Sequence, residues 1–311
     1  MPPPSKEVRL ATPPALLRPL SPTSASTWQQ CELKFALTYL FGWREPSTLP
    51  QLIGNVVHKA IELLYLQDPD VRTRASAAEL LRSSLEAGLR DDTYNVLLAG
   101  GDPRAEVLLA GEDALDGLFE IEDPRYLTVG PEGLEVWVRA ELYGAPIRGR
   151  IDRLYYADGA EVIADYKTGK VPRPAYTQKA FFGLWTYAAG LAASEGEGRL
   201  ADRIELLYLI GRERLARPVL RDTALEHAKT LARIWRAVSA AVQLGVVTAR
   251  RSKLCEWCAF QSACPLFSQG PAVGTAEHDG RLVQLGLLRS DRATVPKLVD
   301  RLEQPLIEED G

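Results

Sequence analysis

The stretch from Leu134 to Lys167 constrains the chain more than any other. Leu134, Val136, Val138, Ala140 and Leu142 alternate with Glu135, Trp137, Arg139 and Glu141, the period-two pattern of a strand with one face buried. Two more strands are predicted over 147–156 and 161–167, separated by the turn signal Ala157-Asp158-Gly159. Consecutive strands with short connections form an antiparallel meander, whose apolar face has to be covered by other elements. The flanking sequence supplies helices for that purpose. Trp28, Cys31, Phe35 and Tyr39 recur at helical spacing behind Ser24 as a cap, and Ile53, Val56, Val57, Ile61 and Leu64 mark a second amphipathic helix. Further helices are predicted at 73–90, 104–120 (ending before Pro124), 175–193 and 222–245, with an apolar strand from Ile204 to Ile210. The expected fold class is therefore α/β, a mixed central sheet flanked by helices.

A length of 311 residues suffices for one large domain or two smaller ones, and 46% apolar with 25% charged residues is ordinary for a globular protein. No apolar run approaches the roughly 20 residues of a membrane helix. The opening MPPPSKEVRL lacks the apolar core of a signal sequence, so residues 1–20 read as a flexible leader and a cytoplasmic location is expected. A net charge of −4 argues against a protein that coats DNA non-specifically. It still permits a local basic groove, because phosphate binding depends on where the cations sit.

Chemistry concentrates in Gly149-Arg-Ile-Asp152-Arg, followed by Ile163-Ala-Asp165-Tyr-Lys167-Thr-Gly169. Residues two apart on a strand share a face, so Asp165 and Lys167 project together, and Asp152 on the neighbouring strand reaches the same spot. Two carboxylates held together repel unless a cation lies between them. Hard oxygen ligands suit Mg²⁺ or Mn²⁺. A D-x-K pair in isolation reads as a strand salt bridge; here it adjoins the apolar run Val162-Ile163-Ala164 and a second aspartate. On the helix Gly54 to Glu62, His58 and Glu62 lie one turn apart on one face. The four cysteines, Cys31, Cys255, Cys258 and Cys264, form one distant position plus a C-x₂-C-x₅-C run. An even thiol count in a reducing compartment points to metal binding, and chemistry alone leaves tetrahedral zinc and an iron–sulfur cube both open.

G-R-I-D-R followed by D-Y-K-T-G resembles the RecB-like branch of the PD-(D/E)XK nuclease family. The resemblance implies a restriction-endonuclease-like core in which Asp152 and Asp165 bind the metal and Lys167 is catalytic. G-x-x-x-H-x-x-x-E over 54–62 resembles the element preceding that core, which implies that His58 joins the metal site while Glu62 supports the helix. Glu135 is a candidate third carboxylate. Tyr187 matches the tyrosine of the family's Q-x-x-x-Y, but Gly183 occupies the glutamine position, and Gln178, five residues upstream, is a poor spatial substitute. The one-plus-three cysteine layout is similar to that of AddB-type and CRISPR-associated adaptation nucleases, implying a 4Fe–4S cluster, with zinc as the alternative. A single nuclease domain is thereby expected over 21–270, closed by Cys31 and 255–264, with a helical insertion at about 68–125. Residues 271–311 form an extension without an assigned role, with a small strand and a helix near Val295 to Leu302.

The implied activity is Mg²⁺- or Mn²⁺-dependent exonuclease action on single-stranded DNA in repair or recombination, alongside a helicase or repair partner and away from membranes. A rival reading, favoured by Gly183, is a DNA-binding or scaffolding subunit with a degenerate core. Arg148, Arg150, Arg153, Lys167, Lys170, Arg173 and Lys179 surround the motifs, and Arg250, Arg251 and Lys253 precede the cysteines. These cations read equally as a phosphate groove or a solvated face. Trp185 and Tyr187 are expected in the core.

Overall fold

The computed structural model, which describes residues 5–10, 17–194 and 200–267, begins with a strand where the sequence reads as a loose leader. This strand, β1 (Ser5–Arg9), pairs antiparallel with Val246–Arg250. Its partner lies far along the chain, so no local pattern announces it. Helix α1 (Pro22–Gln30) is capped by Ser21, not Ser24; Ser24 sits in the first turn, where its Oγ accepts a hydrogen bond from the Ser21 N–H. The helix stops at Cys31, whose backbone is extended, and resumes as α2 (Glu32–Phe35) and a π-turn, Ala36–Leu40. The single helix expected through Trp28 to Tyr39 is thus broken at the cysteine.

Four helices follow: α3 (Leu49–Leu66), α4 (Arg74–Gly88), the short α5 (Asn95–Gly100) and α6 (Arg104–Ile121). The meander is β2 (Leu134–Leu142), β3 (Ala145–Ala157) and β4 (Ala160–Lys167). Asp158 and Gly159, at φ 53 and 77, make the left-handed two-residue turn between β3 and β4. The expected helix at 175–193 is two helices, α7 (Pro174–Ala180) and α8 (Phe182–Ser194), interrupted at Phe181. Next come β5 (Arg203–Tyr208), β6 (Glu213–Pro218), α9 (Arg221–Leu244) and β7 (Val246–Arg250), the partner of β1. Strand β6 escapes sequence reading because it is a largely exposed edge strand with no buried face to impose a period. The elements expected within 271–311 lie outside the described residues.

The main sheet runs β2-β3-β4-β5-β6, with β4 and β5 parallel and the other pairs antiparallel. The chain divides into two compact units. One is Ser47–Thr230, which holds the sheet; the other comprises the described residues up to Pro46 and from Leu231 onward.

Within Ser47–Thr230, two apolar clusters cover the sheet. Leu52, Val56, Ile61, Leu81 and Leu115 from the helices α3, α4 and α6 pack with Leu134, Tyr155, Val162 and Ala164. Leu184 and Ala188 of α8 pack with Val138, Ile151, Ile163 and Leu206. Val136 and Leu154 also pack in this second cluster. Strict alternation would place Ile151 with Tyr155 and Val136 with Leu134, but each pair is split between clusters. The alternation therefore breaks between Leu134↔Arg153 and Val136↔Ile151, at Glu135 and Asp152. Glu135 has φ 52, a left-handed backbone that non-glycine residues seldom adopt.

Candidate functional site

That break sets the geometry of the site. Pairing of β3 with β4 ends at Arg153 opposite Ala164, so Asp152 and Asp165 are the next positions facing each other. Asp152 Oδ2 accepts the Tyr166 N–H at 2.9 Å and lies 3.3 Å from His58 Nδ1. Lys167 Nζ stands 2.5 Å from Asp165 Oδ2. His58 comes from α3, whose Val57 and Ile61 anchor the helix in the first cluster. Tyr187 comes from α8, and Gly149 is what admits it: a Cβ there would lie 2.4 Å from Tyr187 Cε1. The glycine of G-R-I-D thus makes room for the ring.

The two aspartates are pushed apart in pKa. Burial works against the Asp152 charge, but His58 and the Tyr166 N–H hold its carboxyl below the usual range. Burial, aided by the Asp152 charge, raises Asp165 despite Lys167. Asp165 Oδ2 is buried and accepts no directed hydrogen bond; Lys167 meets it as an ion pair. Burial opposes the charges of His58 and Lys167 as well, but the neighbouring aspartates more than offset it and raise both. Tyr187 is pushed up to about 12, by burial first and by Asp165 and Asp152 next. Its phenol remains protonated at neutral pH.

Glu135 faces the same group of charges. Burial and then Asp152 raise its pKa, Glu62 adds to the rise, and Arg150 forms an ion pair with it. Glu62 itself is held by Lys59 at 2.9 Å. Gly183 lies on α8 and contributes no side chain, while Gln178 is exposed on α7, on the far side of the break at Phe181. Among the cations read as a phosphate groove, Arg153 is a correction: it is fully buried, paired with Glu122, and reaches no solvent. Arg148, Arg150, Lys170, Arg173 and Lys179 are exposed.

The cysteines belong to the other unit. Cys31 sits at the extended joint between α1 and α2; Cys255, Cys258 and Cys264 sit on successive tight turns, with Cys258 N–H donating to Cys255 O at 3.2 Å and Cys264 N–H to Gln261 O at 3.1 Å. Gln261 Nε2 braces Cys255 O at 3.1 Å. All four line one indentation, together with Leu33, Leu37 and Phe260. Burial raises the thiol of Cys264, and the other three cysteines raise it further. Four thiols facing one apolar hollow are a donor set for zinc or an iron–sulfur cube. Among the described residues, no three His, Cys, Asp or Glu side chains are gathered so as to hold a metal ion in this conformation.

Sequence reading missed two features that the polar face of β2 carried: the left-handed Glu135 and the exposed Trp137. A tryptophan among Glu135, Arg139 and Glu141 was the available signal.

A family model described as the PD-(D/E)XK nuclease superfamily matches residues 19–265. No curated protein matches the chain. Among solved structures, a Eubacterium rectale protein described as a "putative exonuclease" is 13% identical with a TM-score of 0.46, covering 76% of this chain and 85% of its own. The protein SSO0001 is also 13% identical, with a TM-score of 0.32, covering 70% of this chain and 96% of its own.

Proposed function

Because the chain belongs to the PD-(D/E)XK nuclease superfamily, we propose that it is a Mg²⁺- or Mn²⁺-dependent deoxyribonuclease that degrades single-stranded DNA from an end during repair or recombination. The observation that carries the reading is the meeting of Asp152, Asp165, Lys167 and His58 where the β2–β3–β4 meander loses its alternation. A buried carboxylate oxygen that meets Lys167 as an ion pair, beside a second carboxylate and an imidazole, fits a small divalent cation. Asp152, Asp165 and His58 would hold that cation, with Glu135 as a further carboxylate. When bound, it supplies charge stabilisation at a phosphoryl oxygen and lowers the pKa of a water.

The remaining work falls to side chains. Lys167, kept charged by Asp165, stabilises negative charge developing on the scissile phosphate. Tyr187, kept protonated, donates a hydrogen bond to a phosphate oxygen. Asp165→Ala should abolish cleavage of end-labelled single strands, and Lys167→Ala should cut it about 10²–10³-fold, while the circular dichroism spectrum is retained. Cleavage that survives both substitutions would assign the chemistry elsewhere.

For the cysteines we propose a 4Fe–4S cluster with a structural role, holding Cys31 to the C-x₂-C-x₅-C turns. Anaerobically purified protein should then be brown and contain iron; colourless protein with stoichiometric zinc would replace the cluster by a zinc site. A second reading, a DNA-binding or scaffolding subunit, draws on Gly183 in place of the family's glutamine. It predicts DNA affinity with no cleavage at any concentration of Mg²⁺ or Mn²⁺. In either role the expected setting is cytoplasmic, with a helicase or repair protein as partner.

A further inference from the structure

On the polar face of β2, Trp137 is half exposed, at 50%, although a large aromatic on a half-buried strand ordinarily turns inward. Directly across from it is Arg150, and one pair of residues further along are Arg139 and Arg148. Their guanidinium carbons lie 4.6 Å (Arg148), 5.6 Å (Arg150) and 5.7 Å (Arg139) from the indole centroid. All three arginines are exposed. Glu135 neutralises Arg150. Among the described residues, Arg139 and Arg148 have no carboxylate partner, and the exposed Glu141 stands at the hairpin end of the same face.

Cation–π attraction at an exposed ring is weak, and like charges gathered on one ring repel each other. An anion between Arg139 and Arg148 relieves that repulsion, while the open indole offers a stacking surface. The strip is continuous with the candidate site: Arg150 lies two residues from Asp152, a step of about 7 Å along a strand.

We propose that Trp137, Arg139 and Arg148 form a binding platform for single-stranded DNA, in which an unpaired base stacks on the indole and flanking phosphates meet the two arginines. The platform rests on the nuclease reading only for what happens to the bound strand. It holds that strand beside Asp152 and Asp165, and it favours single strands because paired bases do not present a free face. Trp137 is a positioning residue, since it stands away from the reacting phosphate.

The test is a titration of fluorescently labelled dT₁₂ with the full chain in chelator, followed by cleavage assays with Mg²⁺. Trp137→Ala should weaken dT₁₂ binding roughly five- to a hundredfold and raise KM with little change in kcat, while Trp137→Phe retains most of the affinity. Arg139→Ala with Arg148→Ala should flatten the salt dependence of binding by about 0.7 log units per log unit of salt for each phosphate no longer neutralised. A 12-base-pair duplex should bind more weakly and respond little to Trp137→Ala. Thermal melts of the variants control for folding. Unchanged dT₁₂ affinity in Trp137→Ala, or an equal loss for duplex, overturns the platform. Binding through Trp137 without any cleavage would remove the nuclease reading and leave the platform standing; cleavage with affinity and KM indifferent to Trp137 would do the reverse.

Discussion

Asp152 and Arg153 are adjacent on β3, yet the sheet treats their charges in opposite ways. Arg153 points into the interior, where Nη1 donates to Tyr65 Oη at 2.6 Å and to Glu122 Oε1 at 2.5 Å, and Nη2 donates to Glu122 Oε2 at 3.0 Å. The rings of Tyr155, Tyr65 and Tyr166 lie 4.3, 4.9 and 5.4 Å from its guanidinium carbon. Arg214 Nη2 adds a second cation to Glu122 at 2.8 Å. Charge here is buried and closed by its opposite. Asp152 and Asp165 instead face each other as like charges, with Lys167 and His58 giving partial relief and one carboxylate oxygen lacking a directed hydrogen bond. A fold gains nothing in stability from two facing carboxylates. The difference separates a structural network from the site proposed to take a cation.

The comparison breaks most sharply if Arg153→Ala is mild. Removing it leaves Glu122 without its main partner in the interior, and stability should fall by about 3–5 kcal/mol, read as a drop in the urea midpoint. Replacing Arg153 by Met and Glu122 by Leu together should recover most of that loss, since both buried charges go. Lys167→Ala should do the opposite. Cleavage should fall about 10²–10³-fold, while stability changes by no more than about 1 kcal/mol because the Lys167 side chain is partly solvated. Equal losses of stability for both variants would erase the distinction.

Gly149→Ala sits between these cases. The added methyl meets the Tyr187 ring and should cost about 1–3 kcal/mol, with kcat falling as the ring moves away from Asp152 and Asp165. Smallest is the acid response of the closed network. Burial opposes the Glu122 charge, but Arg153 outweighs it and holds the carboxyl below its ordinary 4.5. As pH falls, the unfolded chain takes up this proton first, so the contribution of Glu122 is complete above pH 4.5, declines below it and is gone once the folded carboxyl titrates. Urea melts between pH 7 and 3 should show that acid limb flattened in Glu122→Gln.

What the sequence disclosed follows from which interactions are local. The β2–β3–β4 strands, their turn at Asp158-Gly159 and the facing of Asp152 and Asp165 were legible because alternation and turn chemistry act over a few residues. Strand β1 was not, because its hydrogen-bond partners on β7 lie at the other end of the described chain. The helix break at Cys31 was hidden by apolar spacing that continues past it. Arg153 was misread for a related reason: alternation puts it on the same side of the strand as the buried Ile151 and Tyr155, but the partners that let a cation be buried there, Tyr65 and Glu122, come from distant helical segments. Family resemblance supplied roles for His58 and Tyr187; the structure supplied their proximity to the aspartates.

The central claim is tested most directly by incubating anaerobically purified protein with single-stranded DNA labelled at either end, with Mg²⁺ or Mn²⁺ and with chelator, beside Asp165→Ala. The nuclease reading predicts products that require the metal, shorten progressively from one labelled end and vanish in Asp165→Ala. Intact DNA under every metal condition, from protein that still binds it, would contradict that reading and favour the scaffolding subunit.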